Sequence, residues 1–264
     1  MTTVVNTTVT QSNSQRASAI RLTEVTKSFL QGRSTVQALD GISLTAGVGE
    51  FVCIVGASGC GKSTLLSLIA GLEQPSSGEV VSGNQRPALM FQEPALFPWL
   101  TAARNIEVPL RARGVPKRQR RERVAELLAT VRLSEFADAR PHQLSGGMRQ
   151  RVALARALAQ DADTLLMDEP FGALDALTRD HLHGELERIV AECGLTVLFV
   201  THNVPEAVRL GDRVVVLSSR PGRVVTEVAV PLERPRRSNT TAVAELATLI
   251  TDRLQAAEAG NDRH

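Results

Sequence analysis

The chain has 264 residues, 43% of them hydrophobic, enough to bury a substantial core as one large α/β domain or two smaller units. Thirty basic residues against 28 acidic ones leave a formal charge of +2, which weighs against a general nucleic-acid binder with its strong basic excess. No run approaches the roughly 18 apolar residues of a membrane helix, and three scattered cysteines lack metal-ligand spacing, so a soluble protein without a structural zinc site is expected. Cys53, Cys60 and Cys193 read as reduced thiols of a cytosolic protein, two in the core and Cys60 in a loop.

Residues 1–19 are rich in Ser, Thr, Asn and Gln and are expected to form a disordered lead-in, neither secretory signal nor anchor. Alternating apolar residues then predict short strands over 20–25 and 36–44, with Phe29 in a polar loop between them. Phe29 is either a satellite core residue or a platform for stacking a nucleobase.

The apolar run 51–55 leads into Gly56-Ala57-Ser58-Gly59-Cys60-Gly61-Lys62-Ser63-Thr64, which runs into the apolar helical stretch 65–70. Strand, glycine-rich loop and helix at the spacing G-x-x-x-x-G-K-[ST] make a P-loop. Its glycines let consecutive backbone N–H groups turn inward as a nest for phosphate oxygens, and the helix adds the positive end of its dipole. Lys62 is expected to reach the β- and γ-phosphates, and Ser63 to offer its hydroxyl to Mg²⁺. Cys60 is expected to lie beside the phosphates, where a bulky alkylating reagent would inhibit.

Further strands are predicted over 79–83 and 88–91, the second ending at Gln92, the kind of position where α/β sheets place ligand-contacting groups. A helix is predicted over 116–133, with Val124, Leu127, Leu128 and Val131 as its apolar stripe; Lys117, Arg118, Arg120, Arg121 and Arg123 on its other face read as a solvated basic face or as a contact for anionic lipid headgroups or an acidic partner. Ser145, Gly146 and Gly147 open a helix expected over 149–160, with Ser145 as cap and glycine amides exposed as a second potential anion site. An apolar strand over 164–169 ends in Asp168 and Glu169. Asp168 suits a cation, and Glu169 suits the orientation and deprotonation of a water. After a helix carrying Leu182, Leu186, Ile189 and Val190 and stopped by Gly194, another buried strand over 195–200 delivers His202 to the same sheet edge, in a phosphate-contacting role. A hairpin over 214–226 turns at Arg220-Pro221-Gly222. A basic, proline-containing connection and an amphipathic helix with Val243, Leu246, Ile250 and Leu254 follow.

The ordered set resembles the ATP-binding subunit of ABC transporters. Phe29 corresponds to the aromatic A-loop, 56–63 to Walker A, Gln92 to the Q-loop, 144–148 to the signature, 164–169 to Walker B, Ala173-Leu174-Asp175 to the D-loop and His202 to the switch histidine. Met148 and Asn203 depart from the common pattern of Gln and Asp, leaving rate and dimer contacts open. Leu96-Phe97-Pro98-Trp99, the run 171–179 and Ser219-Arg220-Pro221-Gly222-Arg223 resemble the importer branch for nitrate, taurine and aliphatic sulfonates.

The resemblance implies an α/β fold: a P-loop NTPase core with a mixed sheet, an N-terminal antiparallel β subdomain and an inserted α-helical subdomain at about 95–160. The ATP-binding domain would span 20–230, with 231–264 as linker and C-terminal helix. It implies an ATPase with ATP and Mg²⁺ as cofactors, Ser63, Gln92 and Asp168 arranging the metal, and Lys62, Gln92, Glu169 and His202 serving catalysis. ATP would lie between the P-loop of one copy and Ser145, Gly146 and Gly147 of another. The implied partners are a second ATP-binding subunit in a homodimer, transmembrane permease subunits and, indirectly, an extracytoplasmic solute-binding protein, but no nucleic acid. The implied location is the cytoplasmic face of a bacterial membrane, as a peripheral subunit. A non-transport ABC ATPase of DNA maintenance, translation or cofactor assembly is the main alternative, although no coiled-coil insertion or second cassette is found in the sequence. A generic P-loop phosphotransferase would need neither the signature nor His202.

Overall fold

The computed structural model describes residues 18–32, 34–83, 86–236 and 240–261. The expected lead-in before Ser18 lies outside the described residues, while Ser18 and Ala19 already belong to the first strand.

The alternation of β3 (Phe51–Val55) explains the layering. All five residues are buried, with Phe51, Cys53 and Val55 facing one apolar core and Val52 and Ile54 another. β3 lies inside a six-stranded sheet with β5 (Ala88–Met90), β6 (Thr164–Asp168), β7 (Thr196–Thr201), β8 (Arg213–Leu217) and β9 (Val224–Ala229). The strand order is β5-β6-β7-β3-β8-β9, parallel except for β9, which returns antiparallel to β8 as the expected hairpin.

A second, three-stranded antiparallel sheet has the order β2-β1-β4, from β1 (Ser18–Gln31), β2 (Ser34–Gly47) and β4 (Ser77–Ser82). This corrects the expectation of two short strands with Phe29 in a loop: each strand has 14 residues, and Phe29 lies within β1 opposite Val36. Register shifts between Leu22 and Ser28 interrupt the two-residue alternation that marks a strand. The polar residues there have partners in the following segment. Thr26 Oγ1 meets Ser77 Oγ, Lys27 Nζ donates to Glu73 and to the Gln74 carbonyl, and the Ser28 amide donates to Ser76.

Helix α1 (Lys62–Ile69) is sandwiched between the two sheets, with Leu65, Leu66, Leu68 and Ile69 buried. The opposite face of the large sheet is covered by helices. Among them α2 (Ala102–Ala112), α3 (Lys117–Thr130) and α4 (Gly146–Leu158) pack on one another. In α3 the predicted stripe of Val124, Leu127 and Leu128 is buried, with Val131 just beyond the helix, while Lys117, Arg118, Arg121 and Arg123 are exposed. Arg120 is half-buried and paired with Glu107 at 2.8 Å. Helix α4 begins earlier than expected, because Ser145 accepts the Met148 amide at 3.2 Å and both glycines enter the first turn. Glycine costs less there than in the middle of a helix, since first-turn amides have no intrahelical acceptor.

Helix α5 (Ala176–Cys193) buries the predicted Leu182, Leu186, Ile189 and Val190 and stops at Gly194, whose φ is +63°. Helix α6 (Val204–Leu210) and α7 (Thr241–Asn261) pack together, and α7 also reaches β8 and β9. Buried Arg236 donates to the carbonyl oxygens of Val208 (3.0 Å), Gly211 (2.5 Å), Val230 (3.1 Å) and Leu232 (2.9 Å). A guanidinium thus satisfies carbonyls at the negative end of α6, where a cation is favoured. Among the described residues no helix is long and apolar enough to cross a membrane.

Candidate functional site

The carboxyl ends of four neighbouring strands meet at one sheet edge. The P-loop follows β3, Gln92 lies just beyond β5, Glu169 follows β6 and His202 follows β7. The loop's shape depends on Gly61, whose φ is +100°. A Cβ there would stand 2.6 Å from Leu39 Cδ2 and 2.8 Å from the Ala38 carbonyl oxygen.

Buried Lys62 opens α1 and folds back on the loop, its ammonium donating to the carbonyl oxygens of Gly56 at 2.8 Å and Ala57 at 2.9 Å. The same nitrogen stands 3.8 Å from Glu169 Oε1, and Glu169 Oε2 meets His202 Nδ1 at 2.7 Å. Lys62, Glu169 and His202 therefore form one continuous chain of groups. Glu169 is held with φ at +42°, unusual for a residue with a side chain, while its amide donates to the Val200 carbonyl oxygen. Next to it, Asp168 ends β6 with the Ser63 side chain acting on its carboxyl. Burial pushes the Asp168 carboxyl above its usual range, the Ser63 hydrogen bond opposes this, and the neighbouring Glu169 charge adds to the rise.

Lys62, Ser63 and Glu169 line a cavity of about 260 Å³ with two kinds of wall; Asp168 and His202 stand behind this lining rather than on it. Phe29, Val36 and Ala38 supply the apolar side; P-loop residues, Glu169 and Arg220 supply the polar side. Phe29 is half-exposed, with Lys27 Nζ 4.8 Å from its ring centre.

Gln92 does not line this cavity. Its backbone carbonyl accepts from Gln150 Nε2 at 3.0 Å, tying it to α4, and its side-chain amide lies beside Gly172 in the segment after Glu169. Ser145, Gly146 and Gly147 are also outside the cavity, with Gly146 against Leu174 and Gly147 against Thr178. A signature segment packed on the D-loop side of its own chain leaves the P-loop cavity open.

Two cysteine expectations need correction. Cys60 is buried, with its sulfur turned inward against Gly56, and Cys193 rather than Cys60 is exposed. Burial raises the Cys60 thiol pKa and keeps it inert, although nearby Lys62 acts the other way. A bulky maleimide should therefore label Cys193 first and leave ATP turnover unchanged. Mass spectrometry of the labelled protein beside an ATPase assay checks this; inhibition tracking modification of Cys60 would restore the original expectation.

In the sequence Arg220 belongs only to a hairpin turn and a branch motif. It lies on the cavity wall, its Nε 3.3 Å from the Gly59 carbonyl oxygen. No local signal joins two positions 161 residues apart.

Comparison with known proteins places this geometry in a family. The ABC transporter family model matches residues 39–172. An uncharacterised ABC transporter ATP-binding protein of Methanocaldococcus jannaschii is 46% identical over 224 residues, covering 82% of this chain and 84% of the relative. An aliphatic sulfonates import ATP-binding protein of Mesorhizobium japonicum is 48% identical over 222 residues, covering 82% of each. Among solved structures, a dimeric ATP-binding cassette in a post-hydrolysis state with ADP and Pi aligns with a TM-score of 0.72 at 36% identity, covering 81% of this chain and all of that one. The fold is thus that of a solved ATP-binding cassette, and the chain belongs to the ABC transporter ATP-binding family as an ATP-binding, ATP-hydrolysing cassette.

Proposed function

We propose that this chain powers an importer for nitrate, taurine or aliphatic sulfonate-type anions, as one of two identical ATPase subunits on the cytoplasmic face of a bacterial membrane. The observation that carries the reading is the cavity lined by Lys62 and Glu169, with His202 bonded behind Glu169, and a signature segment that lies elsewhere on the same molecule. A site of this kind is completed by Ser145, Gly146 and Gly147 of a second copy, and the dimeric assembly of the similar cassette supports that arrangement.

In this reading Phe29 stacks the nucleobase, and the amides of residues 56–64 with Lys62 hold the phosphates. Oxygen donors suit a hard cation, and the Ser63 hydroxyl and Asp168 carboxylate would hold Mg²⁺. When bound, Mg²⁺ neutralises charge on the β- and γ-phosphate oxygens. Glu169 orients the attacking water and accepts its proton, and His202 fixes the Glu169 carboxylate and faces the γ-phosphate. Gln92 joins the nucleotide side to the helical layer through Gln150, and Arg156 donates to the carbonyls of Pro94 and Ala95 from the same helix. Exposed Phe91, Phe97 and Trp99 lie on that segment and would meet the permease; buried Asn105 anchors it by hydrogen bonds to Phe97, Leu100 and Thr101.

Reconstitution with candidate membrane permease and solute-binding proteins tests the proposal. ATP turnover should rise several-fold with an aliphatic sulfonate, taurine or nitrate, and not with sugars or amino acids. Failure to co-purify with any membrane protein would favour a non-transport role.

A further inference from the structure

We infer that Arg220 is a phosphate-binding residue of the ATP site, its guanidinium held over the P-loop by a loop built for that purpose; the inference rests on the ATP-site reading above. The loop between β8 and β9, residues 218–223, is fixed on two sides. Towards β2, the Gly222 amide donates to the Ala38 carbonyl oxygen at 2.9 Å, the Asp40 amide donates to the Gly222 carbonyl oxygen at 3.0 Å, and Arg223 Nε pairs with Asp40 at 2.8 Å. Towards the P-loop, Gly222 approaches so closely that a Cβ would overlap the Cys60 carbonyl oxygen, and Arg220 Nε donates to the Gly59 carbonyl oxygen at 3.3 Å. Within the loop, the Ser218 hydroxyl donates to the Pro221 carbonyl oxygen and accepts the Arg223 amide, both at 2.9 Å.

A two-residue turn would suffice to join antiparallel strands. The longer loop instead ties the hairpin to β2 and the P-loop together, and it delivers one long cationic side chain to the cavity wall beside Ser58 and Gly59. Charge supports the assignment. Two cationic side chains, Lys62 and Arg220, line the cavity on either side of the P-loop residues Ser58 and Gly59, beside the one lining carboxylate, Glu169. A planar guanidinium matches two phosphate oxygens at once, and it lies at the loop whose amides form the phosphate nest.

The test compares Arg220→Ala, Arg220→Gln and Arg220→Lys in the full chain, measuring affinity for ATP and for adenosine by competition against a fluorescent ATP analogue. Ala and Gln should each weaken ATP about tenfold, in line with loss of one charged hydrogen bond, while adenosine changes less than about twofold and Lys retains most of the ATP affinity. Steady-state ATPase should show the loss in KM rather than kcat. Gln can still donate to the Gly59 carbonyl, so wild-type ATP affinity in Arg220→Gln would mean that the side chain only braces the loop, and would overturn the inference. An equal loss for adenosine would overturn it too, by moving the contact to the base or ribose. Lys62→Ala is the separate control: unchanged ATP affinity there would unseat the ATP-site reading itself.

Discussion

Glu169→Gln is expected to bind ATP, lose turnover by about 10²–10⁴-fold as a general base is removed, and elute as a dimer when ATP and Mg²⁺ are present. The amide keeps the size of the carboxylate and can still contact His202, now 2.7 Å from Oε2, so the site's shape persists. What disappears is the proton acceptor and the negative charge. That charge faces Lys62 at 3.8 Å, and with ATP in place it would also face the γ-phosphate and oppose closure. Removing it stabilises the closed pair while blocking the step that reopens it. Size exclusion with and without ATP, beside phosphate release, reads both effects. A monomeric variant with normal turnover would exclude Glu169 as the base.

Lys62→Ala should reduce ATP hydrolysis by at least about 10²–10³-fold, the usual cost of deleting one preorganised group that stabilises transition-state charge. The side chain is buried, and its ammonium is already desolvated against the Gly56 and Ala57 carbonyls. Phosphoryl transfer leaves a protein little to contribute beyond position and charge, so the missing cation is not replaced by solvent. Deletion also leaves Glu169 without the cation 3.8 Å away. Phosphate release by the purified variant measures the loss, and normal turnover would reject the P-loop assignment.

The parts of the site that were legible in the sequence are those encoded locally. The loop at 56–64 announces itself by spacing, and Glu169 and His202 stand directly after apolar strands, so a parallel sheet brings them to one edge. What was misread depends on conformation or long-range contact. Bulges in β1 concealed the strand that carries Phe29. Nothing in the motif reveals that its left-handed glycines, with φ of +77° at Gly59 and +100° at Gly61, flank a cysteine whose sulfur turns inward. Arg220 reaches the P-loop across 161 positions, and Arg236 became a buried clamp because carbonyls of α6 and of the segment after β9 converge on it. Gln92, Ser145, Gly146 and Gly147, expected at the nucleotide, stand apart from the cavity within one chain.

The Arg236 clamp has a mechanical consequence. It anchors the chain just before α7 to the end of α6 and to the segment after β9, while Arg253 on α7 reaches the Thr226 hydroxyl on β9 at 2.8 Å. The β8–β9 hairpin is then a rod with α7 strapped along it and its far loop resting on the P-loop. Anything that binds the C-terminal helix therefore bears on the same hairpin whose far loop touches the P-loop.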